Sequence, residues 1–453
     1  MNLHRSLKTG PSSRRAFLQT VSAAAAVAPL VVPGRVLGLD GNVAPSNRIT
    51  VGFIGTGRQT IYANIPGFLK EDDCQGVAVC DVDSWRMGVA KKNIEEFYAK
   101  KAASGNFKGC ATFSDWRELL ADKSIDAVMI GSPDHWHVIQ AMAALRAGKD
   151  VACEKPLTRN IAAGRKMSDL VAKTGRMFRT DSEFRSNKAC HRVVEMVRNG
   201  KIGKLQRIIT GTPKDTTLAS QPDMPVPKEL NYDMWLGPAP LAPYTEKRVH
   251  APQQPPNKTR PGWLAITDYA DGMLANWGAH LNDIAMWANN TEHTGPIEIQ
   301  ATGTYPPKGN LWDVIQTFEA HFLYANGVTL TCKTDKPYMR FEGTEGWVQV
   351  VYPTQIDAEP ESLLTWKPGP SDLHLPFKHS EKRDFLDAVK SRQQPLYTCE
   401  GGHRNNSLSH LALAAIAVGR KLKWDPVKEV VIGDAEANQA LAPKPLRAPW
   451  VVS

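Results

Sequence analysis

The amino-acid sequence predicts an α/β fold with two sheets: a parallel sheet first, then an α+β domain with a large, mostly antiparallel open sheet. Three observations lead to this prediction. Short apolar runs typical of buried strands alternate with helical patterns between residues 48 and 156. A glycine-rich turn follows the first of these runs. Alternating apolar and polar residues return at 314–323, 328–333 and 347–351, as expected for half-buried strands.

The length of the chain, 453 residues, exceeds what one hydrophobic core usually serves. We therefore expect a targeting segment with a linker at residues 1–45, a first domain at 46–175 and a second domain at 176–453.

The net charge of +9 is concentrated at the N-terminus, because residues 1–44 hold five Lys or Arg and one Asp, which leaves +5 for the remainder. No run of like charges interleaved with aromatic residues follows, so the sequence argues against a nucleic-acid partner. The seven cysteines are scattered without a CxxC or CxxH pattern, which predicts buried free thiols and no metal site.

The N-terminal segment resembles a twin-arginine signal peptide. Arg14 and Arg15 precede an uncharged, mostly apolar stretch, and small residues follow near positions 36–38. A membrane anchor is the alternative, but Pro29 and Pro33 argue against a stable span. We expect cleavage near residues 36–45, export to the periplasm or another extracytoplasmic space, and no membrane span in the mature chain.

The glycine-rich turn predicts a dinucleotide site of the Rossmann type. Gly55 would supply the tight turn, Gly57 would let the backbone approach a pyrophosphate, and the following helix start would offer free amides. Thr60 replaces the third glycine of the usual pattern. The residues expected to contact the cofactor here are Gly55, Thr56, Gly57, Arg58 and Gln59.

Asp81 ends a second apolar run, 24 residues beyond Gly57, where a carboxylate can bind the ribose hydroxyls. Its charge would repel a 2′-phosphate, so NAD is favoured over NADP. Arg58 and Arg86 are near enough in sequence to keep NADP open. A turn residue at a strand end is the other interpretation of Asp81.

Two later motifs are more specific. Residues 132–137 read Ser-Pro-Asp-His-Trp-His, and residues 154–156 read Glu-Lys-Pro. With the segment at 276–283, they resemble the glucose-fructose oxidoreductase / inositol dehydrogenase (Gfo/Idh/MocA) family over nearly the whole mature chain. The resemblance implies a Rossmann domain, a second domain for substrate binding and oligomerisation, and cofactor contacts from Ser132, Pro133, His135, His137, Glu154 and Lys155.

The resemblance also implies catalytic roles. Lys155 would bind the reacting hydroxyl beside the nicotinamide and stabilise a developing alkoxide. His280 would be the general base. A helix from about residue 274 would place His280, Asn276 and Asp283 on one face. The family commonly has aspartate where this chain has Asn276. An amide cannot stabilise the charged imidazolium of His280, which weakens proton removal by this base. Asp283 would compensate or would simply be an ion-pairing residue.

Residues 221–262 contain ten prolines and predict a long loop over the cleft. Its aromatic residues would stack on a sugar or would only fix the loop. They are Tyr232, Trp235, Tyr244 and Trp263, the last just after the loop.

The resemblance implies an exported NAD(P)-dependent oxidoreductase that acts on a sugar, sugar derivative or cyclitol by hydride transfer. A tightly bound cofactor is expected, because the space beyond the membrane has no obvious soluble nicotinamide pool. The alternatives are a redox-neutral glycosidase or lyase that oxidises its substrate transiently, and a sugar-binding relative without turnover. A homo-oligomer is expected from the open sheet.

Overall fold

The computed structural model describes residues 47–101, 107–251 and 260–452. The predicted signal peptide and linker at 1–45 lie outside the described residues, so they stay a prediction. Within the described ranges, no helix combines the length and apolarity needed to cross a bilayer.

Six parallel strands form the first sheet, in the order β3-β2-β1-β4-β5-β6. They are β1 (Ile49–Ile54), β2 (Cys74–Cys80), β3 (Ala111–Phe113), β4 (Ala127–Ile130), β5 (Asp150–Glu154) and β6 (Phe178–Asp181). Every residue of β4, β5 and β6 is buried, as expected for a sheet covered on both faces. Ile54 pairs with Cys80 and with Ile130, so β1, β2 and β4 end at one edge. The predicted parallel sheet is confirmed, and it extends past residue 175 to β6.

Helices connect these strands. They are α1 (Ile65–Leu69), preceded by a π-helical turn at Thr60–Asn64, then α2 (Ser84–Lys100), α3 (Trp116–Ala121), α4 (His137–Arg146) and α5 (Ile161–Thr174). The sequence sets their ends locally. Asp83 begins α2 by accepting hydrogen bonds from the amides of Trp85 and Arg86, and Gly175, with φ of 63°, ends α5.

The second sheet has nine strands in the order β13-β12-β11-β7-β10-β9-β8-β14-β15. The strands are β7 (Leu205–Thr212), β8 (Glu298–Thr304), β9 (Thr317–Leu323), β10 (Thr329–Thr334), β11 (Tyr338–Gly343), β12 (Trp347–Val351), β13 (Gln355–Glu359), β14 (Leu422–Asp425) and β15 (Val430–Val431). All neighbours are antiparallel except β7 and β10. The predicted large, mostly antiparallel sheet is confirmed.

The helices of the second half pack on this sheet and on the first one. They are α6 (Lys188–Arg198), α7 (Tyr232–Leu236), α8 (Gly272–Asn276), α9 (Gly278–Asn289), α10 (Glu381–Ser391), α11 (Cys399–Val418) and α12 (Ala435–Ala440). The long helix α11 packs against α5, α9 and β8 and so joins the two sheets.

Two of these helices differ from the sequence-based expectation. The sequence predicts a helix at 407–421, but α11 begins eight residues earlier, at Cys399, where the Thr398 side chain accepts the amide hydrogen of Gly401. Two adjacent glycines suggest a loop there. A Cβ at Gly402 would lie 2.3 Å from Thr180 Oγ1, so this glycine serves the close packing of α11 on β6. The single helix expected from residue 274 is interrupted at Trp277, between α8 and α9.

The proline-rich loop contains one short helix, α7, and otherwise follows the expectation for its described part. Trp235 and Tyr244 are buried in a cluster with Tyr269, and the hydroxyl of Tyr232 donates to the carbonyl of Pro243. These aromatic residues therefore fix the loop. All seven cysteines are buried and unpaired, which confirms the expectation of free thiols.

Candidate active site

A cavity of about 510 Å³ lies along the carboxyl ends of β1, β2, β4 and β5. Ligands of open parallel sheets bind at this edge, and the volume suits a small-molecule site. Three predicted site residues, Thr56, His135 and Asp283, lie outside its wall. The other twelve line it: Gly55, Gly57, Arg58, Gln59, Asp81, Ser132, Pro133, His137, Glu154, Lys155, Asn276 and His280.

The turn after β1 has the shape that a dinucleotide requires. Gly55 has φ of 81°, and a Cβ there would lie 2.5 Å from the amide nitrogen of Ser132. At Gly57 a Cβ would meet nothing within 4 Å, so the backbone faces open cavity. The hydroxyl of Thr60 donates to the carbonyl of Gly55 at 2.6 Å and fills the space beside Gly131. Thr60 stands where the usual pattern has its third glycine, and Gly131, in the turn after β4, leaves room for the Thr60 side chain.

Asp81 lines the cavity just beyond β2. Its carboxylate accepts hydrogen bonds from the amide of Thr56 at 2.5 Å and from the Thr56 hydroxyl at 2.9 Å. Burial raises the pKa of Asp81 despite these bonds. Thr56 is fully buried and holds Asp81 in place, and its direct contact with the cofactor stays a prediction. Arg86 lies 3.6 Å from Asp83, whose carboxylate partly neutralises the guanidinium charge.

The two histidines of the 132–137 motif have packing roles. The ring nitrogens of His137 lie 2.8 Å from the carbonyl oxygens of Ser132 and Pro156, so His137 joins the turn after β4 to the turn after β5. His135 lies outside the cavity, 3.1 Å from the Trp235 carbonyl and beside the Tyr269 ring. Burial lowers the pKa of His135 to about 3. The Nε2 atom of His135 thus contacts the loop, and the cofactor contact of His135 stays a prediction.

Lys155 and Glu154 lie at the end of β5. Lys155 lines the cavity, while Glu154 is buried and accepts a hydrogen bond from Asn64 Nδ2 at 3.1 Å. Burial and the neighbouring Asp181 raise the pKa of Glu154 to about 7. Strand geometry thus places both side chains on the cavity wall, with Glu154 held by Asn64.

His280 lies in the first turn of α9, and its ring is fixed on two sides. The Ser182 hydroxyl is 2.7 Å from Nδ1, and the Phe184 ring stacks on the imidazole at 4.6 Å between centroids. A Glu183 carboxylate oxygen lies 3.6 Å from the same nitrogen. Burial, with the cations Lys155 and Arg260, holds the pKa of His280 well below its ordinary 6.5. This shift favours the neutral ring, and His280 lines the cavity.

Asn276 lines the same end of the cavity, but its hydrogen bond goes elsewhere than expected. Its Oδ1 accepts from Arg260 Nη1 at 3.4 Å. The His280 ring is contacted instead by the Ser182 hydroxyl.

Asp283 lies outside the cavity wall and forms a buried ion pair, so its predicted catalytic role stays a prediction. Its two oxygens accept from Arg185 at 2.6 and 2.9 Å, and both side chains are buried. The Arg185 guanidinium also contacts Glu292 and lies over the rings of Trp287 and Tyr397. Asp283 is the counter-charge of a buried arginine.

Glu183, Arg260 and Trp277 are among the cavity residues that the sequence analysis missed. Glu183, with its neighbour Ser182, follows β6, and a sixth parallel strand would have placed both at the ligand edge. That strand contains Arg179 and Asp181, which hid its apolar pattern. Within the described ranges, no group of three His, Cys, Asp or Glu side chains has metal-site geometry.

Both parts of the chain match domains of one known family. Residues 49–182 match an oxidoreductase family's NAD-binding Rossmann fold, and residues 214–452 match the C-terminal alpha/beta domain of the same family. The chain thus contains both domains of one oxidoreductase family. It belongs to the Gfo/Idh/MocA family, which confirms the resemblance seen in the sequence.

Individual relatives match the sequence over a smaller share of the chain than the two family domains do together. A levoglucosan dehydrogenase of Pseudarthrobacter phenanthrenivorans is 30% identical over 154 residues, which are 34% of this chain and 37% of the relative. A glycosyl hydrolase family 109 protein of Stenotrophomonas maltophilia is 29% identical over 179 residues, 38% of this chain and 37% of the relative. The chain therefore matches less than half the length of each. The aldose-aldose oxidoreductase of Caulobacter crescentus has the same fold, with a TM-score of 0.60 at 17% identity, covering 83% of this chain and 99% of that chain.

Proposed function

We propose that this chain is an exported enzyme that oxidises a carbinol of a sugar, sugar derivative or cyclitol, or reduces the corresponding ketone, with tightly held NAD. One observation carries the proposal: Lys155 and His280 line the same cavity as the Gly55–Gly57 turn. Gly57 and Asp81 would hold the dinucleotide, and NADP stays open because Arg58 and Arg86 are near. When bound, the nicotinamide supplies the hydride acceptor.

Residues of the chain itself stabilise the developing charge and remove the proton. The Lys155 ammonium donates to the substrate oxygen and lowers the cost of its developing negative charge. Neutral His280 takes the hydroxyl proton on Nε2 as the hydride leaves the same carbon, so proton, electron pair and charge balance. Ser182 positions the ring through Nδ1, and a Glu183 carboxylate oxygen lies 3.6 Å from the same nitrogen.

The acidic limb of the pH profile tests this assignment of the base. His280 acts only when neutral, and its pKa is held well below 6.5, so kcat/KM should fall only at pH values well below 6.5. Arg260→Gln removes one of the two cations that lower this pKa and should move the limb to higher pH. A limb near 6.5 that the substitution does not move would contradict the role of His280.

Export and cofactor retention are tested together. Retention for hours outside the cytoplasm implies affinity of roughly nanomolar or tighter at ordinary association rates. Protein purified from the periplasm and then denatured should release about one nicotinamide dinucleotide per chain. A variant with Arg14→Lys and Arg15→Lys should stay in the cytoplasm. Empty periplasmic protein that binds NAD weakly would contradict tight retention, and unchanged export of the variant would contradict the twin-arginine route.

A redox-neutral glycosidase or lyase is the second candidate, favoured by the similarity to the glycosyl hydrolase family 109 protein. Asn276 fits it, because weakened proton removal matters less when the ketone is an intermediate. Reduced nicotinamide would then appear transiently, whereas a dehydrogenase accumulates it and a binding protein forms none.

A homo-oligomer through the open face of the nine-stranded sheet completes the proposal. Exposed side chains on this face include Gln300, Glu319 and His321. Light scattering of the purified protein would give more than one chain mass.

A further inference from the structure

Arg260 is the cation at the His280 end of the cavity that the proposed chemistry does not use. Its side chain lines the cavity, and Nη1 donates to Asn276 Oδ1 at 3.4 Å and lies 3.0 Å from the sulfur of Met273. Asn276 stands four residues before His280, so the guanidinium is close to the reacting groups.

No carboxylate neutralises Arg260 in an ion pair among the described residues. Asp215 is the acidic group that acts on it, but this carboxyl is buried, accepts the amide of Met273, and has its pKa raised to about 6 by burial. Partial burial and the charge of Arg58 lower the pKa of Arg260. The segment 252–259, outside the described residues, contains no acidic residue. An anion in the cavity would supply the missing counter-charge.

Asn276 explains why this charge stays available. Aspartate, which the family commonly has at this position, would form an ion pair with the guanidinium. The amide oxygen of Asn276 accepts a hydrogen bond but carries no charge. The departure from the family pattern therefore leaves the Arg260 guanidinium on the cavity wall with a neutral partner in Asn276.

The other groups at this end fit a sugar that carries an acid. Lys155 would bind the reacting hydroxyl, and Glu183 lies 3.6 Å from His280 Nδ1. Lys247 is 3.7 Å from Glu246. The rings of Trp263, Trp277, Trp312 and Tyr352 supply apolar wall.

We infer that Arg260 binds a carboxylate of the substrate, so that the substrate class is an acidic sugar such as a uronate. This inference rests on the proposed function, because it assigns a substrate to the same site. A guanidinium matches a carboxylate with two parallel hydrogen bonds, which a neutral sugar cannot offer.

The test compares matched sugars that differ only in the acid, glucuronate with glucose and galacturonate with galactose. Hydride transfer is followed as reduced nicotinamide, and binding is followed by calorimetry with NADH present. The wild type should prefer the acidic member of a pair. Arg260→Gln should reduce that preference about 10- to 100-fold, as expected for loss of a charged hydrogen bond, and Arg260→Lys should reduce it less.

Asn276→Asp provides a second variant that keeps Arg260. Its new carboxylate should compete for the guanidinium and reduce the preference for the acid in the same direction. Arg420→Gln, which removes an exposed charge far from the cavity wall, should leave the preference unchanged.

Failure of the inference is distinguishable from failure of the proposed function. Oxidation of neutral sugars with no preference for acids, or a preference that both Arg260→Gln and Asn276→Asp leave unchanged, would overturn the inference and keep the enzyme. Arg260-dependent binding of uronates without hydride transfer would support the inference and remove the enzyme. If no acidic sugar binds at all, the inference is wrong.

Discussion

Lys155→Met should reduce kcat by at least about 10²- to 10³-fold while NAD remains bound, because removal of one preorganised donor to a developing oxyanion has an effect of this size. Methionine keeps the length and apolar stem of lysine but removes the ammonium. Lys155 lies at the end of β5, whereas the dinucleotide would lie on the turn after β1. Turnover is measured as reduced nicotinamide, and cofactor binding by calorimetry.

The matched control is Lys173→Met, at an exposed lysine in the last turn of α5. It should leave both turnover and binding unchanged. Near-normal turnover of Lys155→Met would remove Lys155 from the reacting groups. Loss of NAD binding together with turnover would show that the lysine supports the cofactor and not the oxyanion.

Asp283→Ala should destabilise the protein by about 3 kcal/mol or more, because it leaves the buried Arg185 guanidinium without its main partner. Arg185 keeps its contact with Glu292 at 3.0 Å. The loss of stability should therefore lie near the lower end of the range measured when buried ion pairs are broken. The free energy of unfolding is measured in urea. The folded fraction should still bind NAD and turn over substrate, since Asp283 lies outside the cavity.

The contrast is an exposed pair on the same molecule. Asp72 lies 2.6 Å from Lys101 with its side chain 74% exposed, and Asp72→Ala should change the free energy of unfolding by about 0–1 kcal/mol. A loss of activity in Asp283→Ala without a loss of stability would support Asp283 as a catalytic residue.

The sequence predicted those parts of the fold whose burial pattern is simple. Strands β1, β2, β4 and β5 are apolar runs buried on both faces, and such runs are visible without tertiary information. Strand β6 was missed because Arg179 sits fully buried within it, paired with Asp384, which lies 205 residues further along the chain. A charged residue in a core strand becomes understandable only when its partner is known.

The site was predicted to the extent that it lies in short motifs. Lys155 and His280 stand in such motifs, and the cavity contains both. The groups that act on them come from distant segments: Ser182 is 98 residues from His280, and Arg185 is equally far from Asp283. Helix periodicity placed Asp283 beside His280, but a buried arginine on another element decided its role.

Transfer of deuterium tests the central claim most directly, because it reports on the reacting carbon and the cofactor together. Purified NAD-loaded protein is mixed with each sugar of the panel, deuterated at its carbinol carbons, and the nicotinamide is then recovered and analysed by mass spectrometry. The account predicts deuterium on the nicotinamide ring with the wild type and none with Lys155→Met. Nicotinamide that stays free of deuterium while both NAD and a sugar are bound would contradict it.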